Sequence, residues 1–255
     1  MAIGTPARVS GPHSNYAVTT SSFTTGSFTP TAGRLLIAVT SSESPAGTLE
    51  TGSGDSIAIS QTHAGSWSWT SLYQFYVANS SQWWEQITLH YAIVPNSPGA
   101  GTITFTYNDG SAPEDEQRVI FITNIYDIAG IDTVTPVIQS KTGQTTGSSQ
   151  TLTLNSTPAT SSVVFGVIGD SFIGTGYTNI APPTGYTELN EDRADNSGAI
   201  NLETCYKAGS AGTSLNWTNV SGGFGSGAIA IEIAEASTGS TILKTAGNHM
   251  AGGGF

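Results

Sequence analysis

The chain has 255 residues, a formal net charge of −11 and only seven Lys and Arg. It therefore lacks the basic footprint that displaces counterions from nucleic acid, and an anionic membrane surface would repel it for the same reason. Charged residues make up 10% of the sequence, against roughly 25% in ordinary soluble domains; Ser, Thr, Asn, Gln and 31 Gly take their place, a mixture that suits short strands and tight turns better than helices.

Residues 1–30 read as an extended N-terminal arm, because apolar residues are sparse and Pro6, Pro12 and Pro30 interrupt any regular element. The first residues lack a basic start followed by an apolar core, so no export signal is expected. No apolar run approaches the length of a membrane span. A first β-sandwich is predicted over 31–131. It opens with the apolar run Leu35–Val39 and continues through alternating segments at Ile57/Ile59, Trp67/Trp69, Tyr73/Phe75/Val77, Ile87/Leu89/Tyr91 and Ile103/Phe105/Tyr107. His90 is out of phase with the apolar residues of its strand, which predicts a solvent-facing imidazole. Pro95-Asn96-Ser97-Pro98-Gly99 is a turn, and Val119–Tyr126 closes the unit.

A Thr-, Gly-, Ser- and Gln-rich linker is predicted over 132–150, followed by a second β-sandwich over 151–236. Its strands are Leu152–Leu154, Val163–Ile168, Tyr186–Leu189, Ile200–Tyr206, Leu215–Thr218 and Ala228–Ile233, at the spacing of an all-β sandwich or barrel. Cys205, the only cysteine, sits in an alternating run and is expected to be a buried, inert thiol. Residues 237–255 form a C-terminal tail ending in His249, Met250, three glycines and Phe255.

The two units repeat one another. Arg34–Val39 corresponds to Ser162–Val167, Trp69–Leu72 to Tyr186–Leu189, Ile87–Leu89 to Ile200–Leu202, Ile103–Phe105 to Leu215–Trp217, and Val119–Ile122 to the strand at Ala228–Ile233. The order of blocks is the same in both halves, so the chain is predicted to hold two copies of one β-domain.

Little in the sequence points to catalysis. There is no His-x-x-x-His pair, phosphate loop, nucleophile elbow or dinucleotide fingerprint, and Gly222–Gly227 precedes a strand where a phosphate site needs a helix N-terminus. No enzyme activity, metal or cofactor is expected. The acidic clusters Glu114-Asp115-Glu116 and Glu191-Asp192 with Asp195 fit no EF-hand spacing, which leaves solvated loops or a loop-built calcium site. Glu85 and Glu188 are strand-associated acids with nothing to pair them.

The aromatic residues are more informative. Trp67 and Trp69 share a face by the period-2 rule, whereas the adjacent Trp83 and Trp84 must point to opposite faces, leaving one exposed. With Tyr76 these residues form the candidate contact surface, for either a protein subunit or a stacked sugar. His249, Met250 and Phe255 are the candidate assembly tail.

The blocks Phe28–Val39, Pro182–Leu189 and Cys205-Tyr206-Lys207-Ala208-Gly209 resemble a pattern in jelly-roll-like structural proteins of tailed bacteriophages. In that pattern an apolar strand, a Pro-Gly-aromatic turn and a Tyr-Lys-Ala-like strand recur within one domain. The first unit departs from it, with His63–Trp69 in place of Pro-Pro-Thr-Gly-Tyr. The resemblance implies two tandem antiparallel jelly-roll-like sandwiches in a non-enzymatic virion protein made in the host cytoplasm. A capsid decoration (cement) role is the leading expectation, with the major capsid protein or tail components as partners and a homo-oligomer within the assembly. The alternative is a carbohydrate-binding adhesion or receptor-binding module of a tail or surface appendage.

Overall fold

The computed structural model describes residues 2–15, 22–45, 56–78, 83–108, 120–172, 179–195, 199–220 and 225–236. These residues hold strands and no α-helix, so the fold is all-β. The first unit contains β1 (Ala7–Asn15), β2 (Ser22–Thr24), β3 (Leu35–Pro45), β4 (Ser56–Gln61), β5 (Thr70–Ala78), β6 (Trp83–Ile93), β7 (Ile103–Asn108) and β8 (Ile120–Ile128). The second contains β9 (Val137–Thr145), β10 (Ser149–Thr153), β11 (Val163–Phe172), β12 (Thr187–Asp195), β13 (Ala199–Ala208), β14 (Ser214–Thr218) and β15 (Ser226–Ile233).

In the first unit a five-stranded sheet, ordered β1-β8-β3-β6-β5, faces a three-stranded sheet, β2-β7-β4. First strand beside last and second beside seventh is the interleaving of a jelly roll, here with β5 at the edge of the larger sheet. In the second unit the order is β9-β15-β11-β13-β12 over the two-stranded sheet β10-β14. Matching β1 to β9, β2 to β10, β3 to β11 and β5–β8 to β12–β15 makes the two topologies identical, apart from β4, which has no counterpart strand among the described residues. Ala181 bridges to β14 at Thr218 on that side. The duplication legible in the apolar blocks is therefore a duplication of topology.

Two segments differ from expectation. Residues 1–30 are not a free arm: β1 pairs with β8 and β2 with β7. Residues 132–150 are not a linker, since β9 pairs with β15 along its length. Both β1 and β9 are edge strands of their large sheets. Backbone pairing holds an edge strand, so it needs few apolar side chains and leaves little pattern to read. β1 also carries register shifts between Arg8 and Ser10 and between Ser10 and His13, a common device for edges.

The largest core lies between the units, not inside either one. Leu35, Ile37, Val39, Ile87, Leu89, Ile122, Tyr126 and Ile128 of the first large sheet pack against Phe165, Val167, Ile200, Leu202, Ile229, Ile231 and Ile233 of the second. Each large sheet is thus covered on both faces. The alternate residues Leu36, Ala38 and Ile125 join Ile103 and Phe105 beneath the first small sheet. Val164, Ile168, Cys205, Ala228 and Ala230 do the same with Leu152, Leu215 and Trp217 in the second. Burial on both faces explains why Leu35–Val39 and Val163–Ile168 are unbroken apolar runs.

The strand contacts across the central core come in matched pairs. β1 meets β12 while β5 meets β9; β8 meets β13 while β6 meets β15; β3 meets β13 while β11 meets β6; and β8 meets β12 while β5 meets β15. Exchanging every strand for its counterpart returns the same set. That is the pattern of an isologous, two-fold dimer interface, here within a single chain.

A partly buried polar network fixes one side of this interface. Arg8 lies 3.3 Å from Asp192, and Asn124 Nδ2 donates to the same carboxylate at 2.7 Å. The Tyr126 hydroxyl donates to Asn190 at 3.0 Å and shares a 2.6 Å hydrogen bond with Thr204. Burial pushes the Tyr126 phenol well above its usual range, so it stays protonated.

Candidate functional site

Trp67 and Trp69, in the segment leading into β5, share a face as their alternation requires. Their rings stack at 5.6 Å with an interplanar angle of 20°. The stack continues to His63 at 5.3 Å, and His63 meets the edge of Phe28 at 4.8 Å. His63 is buried, and its Nε2 donates to the Phe28 carbonyl at 3.1 Å. Burial lowers the imidazole pKa, partly offset by that bond, which favours the neutral ring. Gly101 is required here: a Cβ would lie 2.6 Å from the His63 backbone nitrogen. Trp67 Nε1 donates to the Ala64 carbonyl at 3.2 Å, and both indoles pack half-buried against the core of the first sandwich. The ladder Phe28–His63–Trp67–Trp69 thus closes one end of that sandwich, leaving only part of each indole for contact.

The five residues proposed as one contact surface are not brought together. Tyr76 lies opposite Glu85, Val77 opposite Trp84 and Ala78 opposite Trp83, at the far end of the β5–β6 pair from Trp69. Eight residues of strand separate Trp69 from Val77, roughly 26 Å at the usual rise. The side chains of Tyr76, Trp83 and Trp84 lie outside the described residues, as do His249, Met250 and Phe255 altogether.

Expected to face solvent, His90 is buried instead. Its out-of-phase face is covered by the small sheet, and its ring lies 6.2 Å from Phe105 of β7. Nδ1 shares a 2.7 Å hydrogen bond with Ser71, while Nε2 has no partner among the described residues. Burial pushes its pKa down to about 4, from an ordinary 6.5. Between those values the unfolded chain holds a proton that the folded chain excludes, so stability present above pH 6.5 is lost as pH falls toward 4. The full loss is on the order of 3 kcal/mol. His90→Asn, which keeps an acceptor for Ser71, should flatten that part of the stability–pH curve in urea melts. A wild-type slope that survives the substitution would assign the acid sensitivity elsewhere.

By strand register the counterpart of His90 in the second unit is Cys205, since Ala38 pairs with His90 as Gly166 pairs with Cys205. Glu203 lies two residues away on the same face, and the repeated blocks match Phe105 to Trp217. Trp217 Nε1 donates to Glu203 Oε2 at 2.6 Å, with both side chains buried. Burial raises the carboxyl pKa well above normal, Trp217 opposes the shift, and Glu188 and Glu191 reinforce it. Cys205 is fully buried as expected, and burial raises its thiol well above the reactive range.

The acidic cluster of the second unit is split between two faces. Glu191 accepts from the Ile180 amide at 2.8 Å and Asn201 at 3.1 Å, whereas its neighbour Asp192 turns to Arg8 and Asn124 of the first unit. Glu188 has a raised pKa, through burial and then Glu191. The Glu85 and Asp195 side chains and residues 114–116 lie outside the described residues. Among the described residues no three His, Cys, Asp or Glu side chains could hold a metal ion.

Sequence reasoning missed a groove of about 330 Å³ at the seam between the units. Its lining combines Ser68 and Thr70 before and at the start of β5, Tyr91 and Ile93 of β6, and Thr133, Thr135 and Val137 at the approach to β9. In a chain this rich in Ser and Thr, four hydroxyls drawn from distant segments carry no local signal.

Fold and cores define a tandem, jelly-roll-like β-sandwich protein whose two units share one central core. No protein-family model matches the chain, and no curated protein or solved structure is significantly similar to it.

Proposed function

We propose that the chain is a non-enzymatic structural protein of a tailed-phage virion, a capsid decoration (cement) protein. The observation that carries this reading is the fusion of two jelly-roll-like units through a continuous apolar core. That arrangement suits a rigid building block with several outward surfaces for neighbours. Its buried titratable groups are engaged within the fold: His90 shares a hydrogen bond with Ser71, and Glu203 accepts one from Trp217. The paired aromatic contact of Trp67 and Trp69 and the tail residues His249, Met250 and Phe255 are the segments proposed to meet the major capsid protein. Residues 1–30 contain β1 and β2, so their deletion would damage the fold and test nothing about assembly.

Truncation after Ala236 is the cleaner experiment. In particles of the encoding virus, the full chain should be found by mass spectrometry in a fixed ratio to the major capsid protein, and the truncated chain should be missing. Absence of the full chain from gradient-purified particles, or a location confined to a tail tip, would overturn the proposal.

A further inference from the structure

The geometry points to a neutral-saccharide site in the groove between the two units, lined by Ser68, Thr70, Thr133 and Thr135 together with Tyr91, Ile93 and Val137. This inference stands apart from the virion reading, because it rests on the seam alone. The central interface has two matched seams, β1 against β12 and β5 against β9. Arg8, Asn124 and Asp192 close the first with charge-assisted hydrogen bonds. On the second, the groove lies where the start of β5 and the segment leading into β9 meet β6.

Its chemistry is specific. No charged side chain lines the groove, so neither an anion nor a cation would find a counter-charge there. Four hydroxyl-bearing residues, whose side chains can each donate and accept, share the lining with apolar residues and one aromatic, Tyr91. A neutral sugar has the complementary character, with hydroxyls around its rim and an apolar C–H face for the apolar lining. The volume is at the small end for ligand sites, about 300–1,000 Å³, which suits a mono- or disaccharide.

The site is also preorganised. Asp132 Oδ1 accepts from the amides of Val134 at 2.8 Å and Thr135 at 3.1 Å, clamping the turn that carries two of the hydroxyls. The same two hydrogen bonds hold the Asp132 carboxyl below its usual range. Asp132 N donates to the Ala234 carbonyl, and Ala234 N donates to that of Pro136, each at 2.9 Å. The turn is therefore tied to the end of β15, and a ligand need not order it on binding. Val134 stands almost entirely exposed at the rim, 90% accessible, next to both threonines.

The test is saturation-transfer NMR on the full chain with millimolar maltose, cellobiose, lactose and chitobiose. Glucuronic acid and a Gly-Ser-Thr peptide serve as comparisons. At least one neutral disaccharide should receive saturation, while glucuronic acid and the peptide should not. Thr133→Trp, an exposed substitution that fills the groove, should weaken binding at least tenfold, and Thr70→Val should weaken it severalfold. Should Thr133→Trp fail to fold, Ser68→Trp fills the groove from another segment. Silence from all four disaccharides, binding unaffected by the filling variants, or equal transfer to glucuronic acid or the peptide would each overturn the site.

Discussion

Expressed alone, residues 1–131 should not yield a folded monomer. The face that packs on the second unit includes Leu35, Ile37, Val39, Ile87, Leu89, Ile122 and Ile128, all buried in the intact chain. Burying each such side chain is worth roughly 1.5–3 kcal/mol, whereas a whole domain is stable by only about 5–15 kcal/mol. Exposing the set would offset most of what the small-sheet core contributes. The isologous pattern of contacts adds a more specific expectation: two copies of either half can bury that face against each other, because each face is shaped for a counterpart of itself. Size exclusion with light scattering should find the first half as a self-associated species. Co-expression of 1–133 with 134–255 should instead give a 1:1 complex, since only that pairing restores the polar contacts of Arg8 with Asp192 and of Tyr126 with Asn190 and Thr204. A monomeric 1–131 with a dispersed amide spectrum would show that the sandwich folds without its partner.

Most of the framework was legible in the sequence, for a reason the cores make plain. The strands recognised as repeated blocks (β3, β5, β6, β7 and β8 with β11, β12, β13, β14 and β15) put apolar side chains into one or two cores. Burial writes itself into the chain as an apolar run or an alternation. What was missed was missed twice, at corresponding places. β1 and β9 are the same edge strand of the two copies, and their sequences, Ala7–Asn15 and Val137–Thr145, are dominated by polar residues and glycine. His90 shows the converse limit. A polar residue between apolar neighbours reads as solvent-facing when one face of a sheet is assumed open, and here neither face is. The site was less legible than the fold. The pairing of Trp67 with Trp69 follows from alternation, but their link to His63 and Phe28, and the meeting of Ser68 and Thr70 with Thr133 and Thr135, depend on distant segments converging.

Trp217→Ala should be the most damaging single substitution in the second unit. The indole is completely buried, and removing so large a side chain from a core costs about 3–5 kcal/mol. Gly166 shows how closely the site is fitted, for a Cβ there would lie 2.8 Å from the ring. The loss also strands Glu203, whose Oε2 would give up its 2.6 Å hydrogen bond in an apolar setting, a penalty of about 1–3 kcal/mol. Trp217→Phe separates the two effects, because phenylalanine is what the first unit carries at the corresponding place, Phe105. It should cost much less in a Glu203→Leu background than in the wild type if the carboxyl is the stranded partner. The pH dependence supplies the second arm. The folded chain keeps Glu203 protonated above the ordinary carboxyl pKa of 4.5, where the unfolded chain releases the proton. Its contribution is therefore complete below pH 4.5 and is lost as pH rises toward the elevated folded value. Glu203→Gln holds the same shape and an acceptor for Trp217 without that liability, so its urea midpoint should match the wild type near pH 4 and exceed it at pH 8. Equal midpoints at both pH values would mean that Glu203 is ionised in the folded protein.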